Sequence, residues 1–147
     1  MSRVQLALNV GDLDAAIDFY SKLFRTAPAK IKPGYANFAI AEPPLKLVLI
    51  AGAGTPGSLN HLGVEVMSVG EVTDAITRLR DEGLVERVEE ETTCCFAVQD
   101  KVWTEDPDGA PWEVYTVLAD ADVMLPPDSD CCAPAGQQEM CCGPTAS

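Results

Sequence analysis

The strongest constraint on this chain is that part of it occurs twice. RVQLALNVGDLDAAIDFYSKLF, starting at Arg3, lies over LNHLGVEVMSVGEVTDAITRLRDEGL, starting at Leu59, with Gln5 falling on His61. Such self-similarity means two copies of one supersecondary unit that bury their apolar faces together. Each copy opens with the alternation of a strand and passes into a helical stripe. In the first, Asp12 is placed to cap a helix carrying Leu13, Ile17, Tyr20 and Phe24. A turn at Pro33 and Gly34 then precedes YANFAIA, and LKLVLI follows Pro43 and Pro44. In the second, Val72, Ile76 and Leu79 form the stripe, Gly83 closes it, and RVEEE, CCFAVQDKVW, the turn DPDG and WEVYTVL follow. Both copies read strand, helix, strand, strand, strand. The expectation is an α+β fold of two βαβββ modules, about residues 1–52 and 58–118, joined by AGAGTPGS and enclosing a cleft in one curved mixed sheet.

From Ala119 the pattern stops: residues 119–147 hold four of the eleven prolines and no base, and read as a flexible acidic tail. All 10 bases and 18 of the 23 acids belong to the body that precedes it. A net charge of −13, with no basic cluster in sequence, argues against nucleic acid or anionic lipid as partner. No apolar run approaches the ~18 residues of a membrane span, and no secretory signal is visible at the start, so a cytoplasmic location is expected. Six cysteines fall as adjacent pairs: Cys94 and Cys95, Cys131 and Cys132, Cys141 and Cys142. A bond within a pair would be strained, because neighbouring α-carbons lie ~3.8 Å apart, shorter than disulfides prefer. Free thiols in a reducing compartment suit a soft centre such as Cd(II), Cu(I) or trivalent arsenic.

The module order resembles the vicinal oxygen chelate superfamily of glyoxalases and extradiol dioxygenases. Alternation sends Gln5, Ala7 and Asn9 to one face of the first strand, His61, Gly63 and Glu65 into the cleft from the second module, and Glu113 and Tyr115 in from the last strand. Gln5, His61 and Glu113 then converge, at the strand positions from which that superfamily draws its metal ligands. An imidazole and a carboxylate with open positions resemble the facial triad of non-heme iron(II) oxygenases. Gln5 departs from the two-His version and is the weaker ligand. Lys46 stands where the first module would carry its counterpart of Glu113, so one site per chain is expected.

A closer resemblance is carried by KPGYANFAIAEPPLKLVLI, LNHLGVEV, TTCCFAVQDKVW and WEVYTVLAD, which are similar to the ArsI-type organoarsenical carbon-arsenic lyases and the related cadmium-induced proteins. That resemblance implies Fe(II), or a substituting divalent metal, on Gln5, His61 and Glu113. It implies a trivalent organoarsenical such as methylarsenite on Cys94 and Cys95, and dioxygen-dependent release of arsenite. Two adjacent strand residues point to opposite faces, so joint binding of one arsenic by Cys94 and Cys95 calls for a loop or bulge at TTCC. Cys131, Cys132, Cys141 and Cys142 are candidate accessory arsenic ligands. Rival readings are a non-enzymatic thiol protein that sequesters cadmium or arsenic, and a glyoxalase or antibiotic-resistance enzyme. Monomer and homodimer both remain open.

Overall fold

The computed structural model of the protein describes residues 1–94 and 96–121. Its elements are β1 (Arg3–Val10), α1 (Leu13–Phe24), β2 (Lys30–Lys32), β3 (Tyr35–Ile40), β4 (Leu45–Ala51), β5 (Leu59–Glu65), α2 (Val69–Asp81), β6 (Arg87–Cys94), β7 (Ala97–Glu105) and β8 (Pro111–Asp120). They are two βαβββ modules, as the repeat demands. All eight strands join one curled mixed sheet in the order β2-β3-β4-β1-β5-β8-β7-β6. Each module closes with a parallel pair, β1 with β4 and β5 with β8, and the modules meet where β1 runs antiparallel to β5.

Local chemistry sets the element ends. The Asp12 carboxylate accepts from Ala15 N at 3.0 Å and starts α1, and Arg25 ends it in the left-handed region. Ser68 caps α2 by accepting from Glu71 N, while the Glu71 carboxylate accepts from Met67 N at 2.9 Å. Both helices cover the outer face of the sheet. Leu6, Leu8 and Val10 of β1 turn outward with Leu47 and Leu49 to meet Leu13, Ile17 and Tyr20 of α1. Ala75 and Leu79 of α2 meet Val102 and, on β8, Val114. The opposite face carries a smaller apolar cluster of Ala7, Tyr35, Val48, Ile50 and Phe96. This leaves the polar side chains of β1, β5, β7 and β8 to share the concave side. β8 continues through Asp120, two residues past Leu118, where the composition changes.

Candidate metal centre

Directly paired strand residues point to the same face, so the register traces which side chains stand side by side. One row runs Trp103, Glu113, Gly63, Gln5, Lys46 across β7, β8, β5, β1 and β4. A second row, two residues along, runs Lys101, Tyr115, Glu65, Arg3. Gln5 and Glu113 are therefore separated by a whole strand, and Gly63 lies between them. A Cβ at Gly63 would lie 3.0 Å from Glu113 Cγ and 3.4 Å from Gln5 Cβ. Over that gap Gln5 Nε2 donates to Glu113 Oε1 at 2.7 Å.

His61 completes the group, its Nε2 3.0 Å from Gln5 Nε2 and 3.3 Å from Glu113 Oε1. All three side chains are buried. The register of β1 and β5 shifts between Ala7 and Leu8, which pair with His61 and Leu59, so Asn60 is the extra residue of a bulge. Its amide oxygen sits 2.7 Å from His61 Nδ1 and accepts the proton there. The Asn60 amide nitrogen donates to Asn9 Oδ1 at 2.9 Å, and Asn9 donates to Ser58 Oγ at 2.9 Å. This chain of amides fixes the Asn60 oxygen toward the ring, puts the imidazole proton on Nδ1 and turns the Nε2 lone pair toward Gln5 and Glu113.

Lys101, 1% exposed, donates to the other Glu113 oxygen at 3.1 Å. Burial would raise the Glu113 carboxyl, but the Lys101 ammonium overcomes it and holds the group well below the usual carboxylate range. Glu113 is therefore an anion with one oxygen tied back and Oε1 presented. The Tyr115 hydroxyl donates to Gln5 Oε1. Burial, then the charges of Glu113 and Glu65, push that phenol well above its ordinary value, so it stays protonated. The Trp103 ring closes the side, edge-on to His61 at 5.4 Å.

Among the described residues no three His, Cys, Asp or Glu side chains gather, so a divalent cation bound at this group would need an amide as its third donor. Neighbouring ligands ~2.1 Å from a divalent cation on perpendicular axes lie ~3.0 Å apart. The separations of 2.7, 3.0 and 3.3 Å within the Gln5, His61 and Glu113 group match that triangle. Ligation needs Gln5 Oε1 where Nε2 now points, which is a half-turn of the carboxamide. Tyr115 suits both orientations, since its hydroxyl donates to Oε1 in one and accepts from Nε2 in the other. The donor set fits the group.

Cys94 is the last residue of β6 and pairs with Ala97, while Cys95 lies outside the described residues. Thr92 and Thr93 pair within the strand, and the irregularity falls upstream, at Glu91, whose φ is 48°. Of the loop expected at TTCC, Thr92–Cys94 are strand, and the chain turns directly after them, where Phe96 has φ 61°. Asp100 accounts for the shift by accepting from Glu91 N at 2.7 Å and stabilising the bulge there. Phe96, just past the cysteines, is buried against the concave cluster, and its carbonyl accepts from Lys30 Nζ at 3.0 Å. Cys131, Cys132, Cys141 and Cys142 lie outside the described residues. Sequence reasoning put Tyr115 on the cleft face without a task and missed Asn60 and Lys101. A lysine two residues before Trp103 in a strand was the available signal for Lys101; strict alternation sends Asn60 outward and hides it.

Residues 3–114 match the model of the glyoxalase/bleomycin resistance protein/dioxygenase superfamily. The chain is 62% identical over 136 residues to the trivalent organoarsenical cleaving enzyme of Thermomonospora curvata, covering 91% of this chain and 90% of that one. It is 61% identical over 142 residues to the cadmium-induced protein CadI of Mycobacterium tuberculosis, covering 97% and 93%. Among solved structures, an extradiol ring-cleaving dioxygenase from B. fuscum superposes with a TM-score of 0.61 at 20% identity, over 82% of this chain and 34% of that one.

Proposed function

Because the chain belongs to the glyoxalase/bleomycin resistance protein/dioxygenase superfamily, we propose that it cleaves the carbon-arsenic bond of trivalent organoarsenicals, methylarsenite among them, using Fe(II) and dioxygen. The Gln5, His61 and Glu113 triangle carries this reading, and the identity to an organoarsenical cleaving enzyme supports the substrate. Gln5, His61 and Glu113 would hold the metal. Iron(II) supplies the redox chemistry by which dioxygen reacts with a closed-shell substrate. The residues around it do the positioning. Cys94 and Cys95 bind arsenic through two thiolates and leave its third bond, to carbon, at the cleft. Lys101 keeps Glu113 ionised, Asn60 keeps the His61 proton on Nδ1, and Trp103 and Phe96 exclude water. Arsenite and an oxidised organic fragment are the products.

A second reading is sequestration of soft cations by the thiols, favoured by the likeness to a cadmium-induced protein. It requires Cys94 and Cys95 but not the triangle. Purified protein given Fe(II), methylarsenite and oxygen should release arsenite, and Gln5→Ala and Cys95→Ser should each lower the rate at least about a hundredfold. Methylarsenite that is bound but returned intact would replace the first reading with the second. Full activity in Gln5→Ala would remove Gln5 from the metal site.

A further inference from the structure

We infer that the cleft selects organoarsenicals whose organic group carries an anion, such as a carboxylate on an aryl ring, and that Lys30, Lys32 and Lys46 receive it. This rests on the reading of the site as one for trivalent organoarsenicals. The chain as a whole carries −13, yet six of its ten basic side chains lie on the concave side. Lys30 pairs in register with Asn37, Asn37 with Val48 and Val48 with Ala7, while Lys32 pairs with Tyr35, and Lys46 stands beside Gln5. Arg3 and Lys101 complete the set from the second row described above, with Arg87, which pairs with Trp103 at the end of the first. Arg3, Arg87 and Lys101 are held by Glu65, Glu89 and Glu113, at 2.6, 2.5 and 3.1 Å, and Lys46 Nζ lies 3.8 Å from the other Glu65 oxygen.

Lys30 and Lys32 stand at the hairpin that follows Cys94, and Lys46 faces the same concave side from β4. Lys30 Nζ donates to the Phe96 carbonyl, Lys32 Nζ lies 5.8 Å above the Phe96 ring, and Lys46 Nζ lies 5.1 Å above the ring of Tyr115. Between them stand apolar walls, with Tyr35 and Phe96 ring to ring at 5.2 Å and Ala7, Val48 and Ile50 alongside. Phe96 follows the two cysteines directly in the chain, so an aryl group on an arsenic bound by them would come to a wall of its own character, with ammonium groups at its edge.

The protein already places one carboxylate in this group. Asp120 pairs with Lys30 at 2.5 Å, and its carboxyl is held below its ordinary value by Lys30 first, with Lys32 and Lys46 adding to the effect. Its side chain is 83% exposed, so that pairing is loose and easily exchanged for a substrate anion. Asp120 acts as an internal competitor.

The test measures binding to the full-length, iron-free protein by calorimetry, using trivalent phenylarsenite and its para-carboxylate. The para-carboxylate should bind roughly five- to tenfold more tightly at low salt, with the ratio falling toward one as salt screens the lysines. Lys32→Gln should lower the ratio and Asp120→Asn should raise it, both with an unchanged thermal midpoint. A ratio of one in the unaltered protein, or a ratio that ignores both substitutions, overturns the inference. Methylarsenite cleavage, measured separately with Fe(II) and oxygen, tests the reaction itself. Cleavage with no charge preference defeats only this inference, whereas a charge preference without cleavage defeats only the reaction.

Discussion

The capacity of His61 to serve as a metal donor depends on Asn60 more than on His61 itself. A neutral imidazole offers one lone pair, and its place is decided by whichever nitrogen already holds a proton. With Asn60 Oδ1 at 2.7 Å from Nδ1, the lone pair belongs to Nε2. Asn60→Ala removes that acceptor without touching a ligand, and it should weaken metal binding about 10- to 100-fold while Kd for an arsenical on the thiols stays the same. Tyr115 gives a second reading at this scale. Its phenol is held neutral in the fold above the value of 10.0 at which an unfolded chain releases the proton. The raised value adds stability that is complete below pH ~10 and is lost as the pH rises further. An alkaline titration followed by ultraviolet absorbance should therefore show one phenol ionising only together with unfolding, and Tyr115→Phe should abolish that step.

Among elements, β5 carries the most unusual demand, because two side chains must meet across it. Gly63 is the position where that happens, and no backbone strain at Gly63 is involved; the requirement is for empty space. Gly63→Val would press on Glu113 and Gln5 together. It should abolish metal binding while lowering the thermal midpoint by only a few degrees, corresponding to about 1–3 kcal/mol. Legibility followed the same division. Strand alternation was enough to bring Gln5, His61 and Glu113 to one face, because period 2 holds over five or six residues of β1 and β8. It failed wherever a bulge intervened. The extra residue at Asn60 and the bulge at Glu91 each break the alternation, and neither leaves a Gly or Pro in the sequence to announce it. The start of α1 at its cap Asp12 and the stop of α2 at Gly83, the residue after its C-cap Glu82, were readable, since such signals are local chemistry.

For the whole molecule, charge is divided unequally. The acids dominate by number, but the bases concentrate where the substrate is expected. The last strand also runs past Leu118, where the composition changes. Asp120 pairs with Ala97 in the ladder, and Ala121 N donates to the Phe96 carbonyl at 2.9 Å, so the last described residues brace the hairpin that carries Cys94. A chain ending at Ala121 should keep the thermal midpoint and the arsenite-forming rate of the full protein. One ending at Leu118 should lose activity more than stability, since it lacks both braces; equal turnover by the two truncations would show that the braces are idle.

The antiparallel seam of β1 and β5 carries one further meaning. Of the three candidate donors, Gln5 belongs to the first module, while His61 and Glu113 belong to the second. Neither module owns a complete coordination set, and the two halves of the repeat have diverged into unequal shares of a single task. A cation held by all three donors would act as a rivet through the seam, so occupancy of the site and the union of the modules are one equilibrium seen from two sides.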